Sequence, residues 1–201
     1  MCPVDTASLI QKIQRLRAAV GAAEDRDLSK YAPKLVAVAE GYQARQDFSG
    51  GLTEPAIHNL AAGVIRSISD LYDNLRKWAA ANGRDKDDVD AAVNQCAELA
   101  LVMDLANFDK HGGHDRDGGW SGKSPELRNV KRVLQVTGTA ASVPFGLRRA
   151  AHGGLEPFGG DGGKVIVSGD VVTNDAKLLD LQYVLLKAIQ AWETLFQQFG
   201  L

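Results

Sequence analysis

Residues 107–124 read NFDKHGGHDRDGGWSGKS, and they gather groups that can move protons, hold phosphate or bind metal. Two histidines, three aspartates, two lysines and one arginine stand among five glycines. Several chemistries could use such a stretch, and spacing separates them. Asp109, His111, His114, Asp115 and Asp117 are suitable metal ligands by type. The two histidines are three apart across Gly112-Gly113, which break a helix, and no His-Glu-x-x-His pattern occurs. Aspartate and glycine together also make ordinary turns. No metal and no other cofactor is therefore expected. Gly122-Lys123-Ser124 matches the end of a phosphate-cradling loop, but the first glycine of that motif would fall at Asp117. A helix precedes the segment and Pro125 follows it, so the strand-loop-helix context is missing as well. Gly-x-Ser-x-Gly is absent, and neither Cys2 nor Cys96 has a histidine close in sequence.

The remaining constellation is Asn107, Lys110 and His111. Asn107 and His111 are four apart and share a helix face, with Lys110 beside them. An imidazole can act as acid or base near neutrality, and a lysine can hold a phosphate. The plain alternative is helix termination, because cations in a last turn face the negative end of the helix dipole. A second candidate set is basic: Lys123, Arg128, Lys131 and Arg132, with Arg116 in the loop. On a strand, Arg128 and Arg132 share one face and Lys131 the other. The cluster could contact nucleic acid, or it could be the scattered charge that protects a sheet edge.

These residues need elements to position them. Residues 5–20 place Leu9, Ile10, Ile13, Leu16 and Val20 on one helical stripe, stopped by Gly21. Residues 28–46 are expected to form a second helix with Leu35, Val36, Ala39 and Tyr42 on its apolar side. Thr53 and Pro55 open a long third helix that runs to about Ala81. A fourth is expected over 87–109, antiparallel to the third because the connection is short. Residues 126–138 are rich in valine and read as a strand. Residues 162–174 read as a strand or as a tight hairpin turning at Ser168-Gly169-Asp170. A Gly-rich segment, 139–163, is expected to be a flexible insertion. A helix from about Asp175 closes the chain, and its stripe of Trp192, Phe196 and Phe199 is expected to pack the core or, failing that, a homodimer interface. The fold expected is mainly α: four or five helices in one domain over 1–201, with a small β-hairpin inserted before the last helix.

Composition narrows the function classes. The chain has 201 residues, 45% hydrophobic and 24% charged, so it can build a real core. Its net charge of −2 gives no general field for holding nucleic acid. There is no apolar run of membrane-spanning length, and a cytoplasmic protein with two reduced thiols is expected.

The run LALVMDLANFDKHGG, followed by a polar loop with SGKSP, a valine-rich strand and a closing helix carrying AWETLF, resembles uncharacterised bacterial proteins with a DLxNxxKH signature. That set is similar to the HEPN-like helical domains of toxin–antitoxin and phage-defence systems. The resemblance implies a helical bundle with Asn107, Lys110 and His111 at the end of a long helix. Active members use Arg-x(4–6)-His, often assembled across a dimer. Here positions 104–106 before His111 are Asp104, Leu105 and Ala106, and Arg148 precedes His152 with only three residues between. The resemblance thus implies a non-catalytic accessory or interaction protein that binds protein or RNA. The alternative is a metal-independent ribonuclease using His111 and Lys110.

Overall fold

A computed structural model of the chain describes residues 6–31, 34–38, 41–113, 119–136, 146–149, 155–158 and 163–201. Among them are five α-helices and a small antiparallel sheet of four strands, with two separate two-stranded pairs. The first helix, α1 (Thr6–Ala23), buries Leu9 and Leu16 against α2 (Glu54–Ala81). In α2, Ile57, Ala61, Val64, Ile65, Ile68, Leu71, Leu75 and Trp78 form the buried stripe. Thr53 caps its start by accepting from the Ala56 amide, Pro55 occupies the first turn, and Asn82 closes it.

The expected fourth helix is two helices. α3 (Asp87–Gln95) and α4 (Ala97–His111) are separated at Cys96, whose backbone is extended at φ −115°, ψ 101°. The apolar rhythm runs unbroken across that single residue, which is why periodicity alone does not reveal the break. Residues Leu99 to Ala106 are buried without interruption, so this middle part of α4 is covered on every side. It packs against α2 and against α5 (Leu181–Phe199), the closing helix. Polar ties between α2 and its neighbours run in opposite sequence order, Arg66 to Asp109 and Arg76 to Asp90, as antiparallel packing requires. Trp192 of α5, fully buried, donates its indole N–H to the Ile68 carbonyl of α2 at 3.0 Å.

The expected helix over 28–46 is not formed. A 3-10 turn at Leu28–Tyr31 is followed by strands β2 (Lys34–Val38) and β3 (Gly41–Arg45), paired antiparallel from Lys34 opposite Arg45 to Val38 opposite Gly41. Val36 and Val38 lose rotamer freedom in a helix, and Gly41 weakens one further, so the extended form wins locally.

The inserted hairpin is also larger than expected. β4 (Glu126–Val136) pairs with β7 (Gly163–Val172), and β7 carries the two-residue strand β1 (Glu24–Asp25) and β8 (Leu178–Asp180) along its other edge. β7 is one continuous strand, so no hairpin turns at Ser168-Gly169-Asp170. Gly169 instead faces a bulge in β4: the register slips between Arg128 and Lys131, and Asn129 adopts φ 52°. A Cβ at Gly169 would lie 3.1 Å from the Arg128 carbonyl oxygen, tighter than a side chain normally tolerates. The closing helix starts at Leu181 rather than near Asp175, because Leu178–Asp180 join the sheet and Asp180 caps the helix. Much of the Gly-rich segment 139–163 lies outside the described residues; within it, β5 (Gly146–Arg149) pairs with β6 (Leu155–Phe158). No described helix is long and apolar enough to cross a membrane.

Candidate functional site

The end of α4 organises the polar stretch through Asp104. This carboxylate is 6% exposed and sits in the most buried part of the helix. A buried charge needs partners, and three converge on it: the Trp120 N–H at 2.7 Å, the Ser121 N–H at 2.8 Å and the Ser121 hydroxyl at 2.5 Å. Gly119, at φ 66°, allows that approach, since a Cβ there would fall onto Asp104 Oδ1. Trp120 then stacks edge-on against Tyr72 of α2, ring centroids 5.2 Å apart. The Tyr72 hydroxyl donates to Asp90 and accepts from Arg76, whose guanidinium also binds Asp90 at 2.6 and 2.7 Å. Burial first, and then the Asp90 carboxylate, pushes the Tyr72 phenol above its ordinary value. One carboxylate on α4 thereby ties the loop to α2 and α3.

One turn further on, Asp109 is held by Arg66, with contacts of 2.5 Å from Nη2 and 2.7 Å from Nε. Lys110 and His111 are exposed at the last turn, and Asn107 is half-buried. Gly112 ends the helix in the left-handed region at φ 67°, its N–H donating to Phe108. So α4 does bring Asn107, Lys110 and His111 to one helix end. His114, Asp115, Arg116 and Asp117 lie outside the described residues. Among the described residues no group of three or more His, Cys, Asp and Glu could hold a metal.

The basic cluster disperses. Lys123 lies 3.9 Å from Asp175, and its loop is pinned by the Asn174 N–H on the Lys123 carbonyl. Arg128 binds Glu126 at 2.6 Å along its own strand. Lys131 is exposed. Arg132, expected at a binding face, is buried instead, with a side chain only 6% exposed. Its guanidinium lies over the Tyr31 ring at 5.3 Å, donates to the Ser49 carbonyl at 3.2 Å and approaches Asp25 at 3.8 Å. The bulge explains this change: the extra residue at Asn129–Val130 resets which β4 side chains share a face with Arg128. Asp25 is held below the ordinary carboxylate range chiefly by the Asp27 N–H, then by Tyr31 and Lys30, against the opposing effect of burial. Burial and that Asp25 contact raise Tyr31 in turn.

Spacing did not single out Asp104, Arg66, Asp25 or Tyr31 for these roles. Only Asp104 had a usable signal: an acid inside an apolar stripe must find donors wherever it is buried. The others are joined by pairings 43 and more residues apart or by a turn where a helix was expected. No family model matches the chain, and no curated protein or solved structure matches it either.

Proposed function

We propose that this chain is a non-catalytic, HEPN-like interaction module of a bacterial defence or toxin–antitoxin system, and that it docks a protein partner at the end of α4. The observation that carries this reading is how the polar stretch is divided. Of its described acids, Asp109 is held by Arg66, and Asp104 just before the stretch is engaged by the 120–121 loop. Lys110 and His111 remain exposed together at the helix end, where an acidic partner group could meet both. Catalysis of phosphate transfer would need a cation beside the imidazole, which Lys110, Arg116 or Arg128 would have to supply. Arg128 is paired with Glu126, and the Arg-x(4–6)-His arrangement is absent.

A protein partner is favoured over RNA because, in the described part of the basic cluster, Lys123 and Arg128 are paired with acids and Arg132 is covered by the chain's own groups, which leaves Lys131 alone exposed and unpaired to displace counterions from a phosphate backbone. The test has two arms. The purified protein is incubated with total RNA, with and without chelator, and no cleavage is expected. It is also co-expressed with the products of adjacent genes, and a stable complex is expected that Lys110→Ala with His111→Ala abolishes. Both residues are exposed, so the double variant should keep its thermal midpoint, each change being worth under about 0.5 kcal/mol. RNA cleavage that disappears in His111→Ala would establish the ribonuclease reading instead.

A further inference from the structure

α2 closes on Asn82-Gly83, the single Asn-Gly pair in the sequence. An asparagine followed by glycine is open to attack by the backbone on its own side chain, because no Cβ shields the following amide nitrogen. Both residues are exposed, as is the whole stretch from Ala80 to Asp88, and a Cβ at Gly83 would meet nothing within 4 Å. One turn earlier the helix is fixed. Trp78 is 6% exposed, with its ring centroid 5.5 Å from that of Phe199. The helix end beyond Trp78 can therefore open without disturbing the core.

We infer that Asn82 is a site of spontaneous deamidation and that the helix cap sets its rate. The Gly83 amide nitrogen attacks Asn82 Cγ. An N–Cγ bond forms, the Cγ–Nδ2 bond breaks, and Nδ2 leaves as ammonia with the proton that Gly83 gives up. Water then opens the cyclic imide at either carbonyl, leaving aspartate or isoaspartate. The folded cap holds the pair away from this geometry. At ψ 17° the Gly83 nitrogen nearly eclipses the Asn82 nitrogen, whereas ring closure needs it on the side of Cβ. The side-chain amide also donates to the Trp78 carbonyl at 2.9 Å, and the Asn82 and Arg84 N–H groups bond the Trp78 and Ala79 carbonyls. Conversion thus proceeds through the opened end. The product does not restore the cap. A carboxylate there faces the negative end of the helix dipole. Isoaspartate also adds a methylene to the backbone between Ala79 and Arg84, whose bond closes the turn. Arg84 in turn reaches the Phe199 carbonyl of α5, so the change loosens the junction of α2 with α5. The inference uses no residue of the α4 end and does not depend on the docking reading.

Incubation of the intact protein in mildly alkaline buffer, beside the same protein unfolded in denaturant and a free peptide of residues 78–84, tests it. Trypsin cuts after Lys77 and Arg84 and releases WAAANGR from the protein, which is followed by chromatography and mass spectrometry against a zero-time digest. The mass gain of an amide-to-acid conversion is expected in two separable forms, aspartate and isoaspartate. It should arise about 10- to 100-fold more slowly in the folded protein than in the peptide, the factor for an opening that gives up a few exposed hydrogen bonds. Ala80→Gly, in the exposed last turn, should speed conversion in the folded protein about fivefold, since glycine disfavours the helix by about 1 kcal/mol, and leave the rate of the matching peptide unchanged. The converted protein should lose hydrogen-exchange protection at the Arg84 amide. No mass gain in the folded protein when the unfolded protein has converted completely would overturn the site. A folded-protein rate equal to the peptide's, or one insensitive to Ala80→Gly, would overturn control by the cap.

Discussion

Replacing Asp104 by alanine tests how far one carboxylate organises the polar loop. The substitution removes the acceptor for three donors, two of them backbone amides at Trp120 and Ser121. A hydrogen bond to a charged group contributes about 1.5–3 kcal/mol, and an amide left unpaired adds its desolvation penalty. Against the full sum, Trp120 and Ser121 are only half-buried, so water can reach part of what is vacated. The net cost should be about 3–5 kcal/mol, the range for breaking a buried charged contact. For a chain of this size that corresponds to a thermal midpoint lower by about 6–20 °C. Asp104→Asn should fall between alanine and the parent, because its amide keeps one acceptor but turns an N–H₂ toward donors. Calorimetry gives the midpoint, and hydrogen exchange at the Trp120 and Ser121 amides gives the location. A midpoint within 2 °C of the parent, with both amides still protected, would refute the view that Asp104 holds the loop.

The same hub implies that Gly119→Ala will destabilise by about 1–3 kcal/mol, since the residue is at φ 66° and its new Cβ would collide with the carboxylate; chemical denaturation checks this. Leu101→Ala, at 2% exposure in α4, should cost about 2–5 kcal/mol and lower the denaturation midpoint without changing the slope. Asp25 has a depressed folded value, so its contribution is complete above the ordinary carboxylate range and is lost as the pH falls through the folded value. Asp25→Asn should therefore flatten the acid limb of the stability profile while leaving the slope near neutral pH unchanged, as thermal scans across pH would reveal.

The helices with wide apolar stripes could be read from the sequence because each stripe repeats over several turns. α2 matches from Thr53 to Ala81, and α5 differs only where Leu178–Asp180 are drawn into the sheet. Short segments failed for a physical reason: Leu35, Val36, Ala39 and Tyr42 satisfy a helical spacing over two turns and a strand spacing nearly as well. Gly169 was informative but ambiguous, since a glycine within a valine run fits either a turn or a close backbone approach. At the site, local spacing correctly brings Asn107, Lys110 and His111 to one helix end. The pairing of Arg66 with Asp109 and the burial of Arg132 depend on which distant element lies alongside, and no short-range pattern encodes that.

The bulge at Asn129–Val130 bears on how the chain behaves in a crowded solution. Among the described residues β4 is an outer strand of its sheet, 11 residues long and rich in valine, the kind of edge on which a second chain could add a strand. The bulge divides that edge into two short runs whose hydrogen-bonding groups no longer align, and exposed Lys131 places a charge just beyond the division. A continuous partner strand could match one run or the other, but not both. Deleting Asn129 would restore an even ladder, and concentrated samples of that variant would be expected to self-associate through this edge.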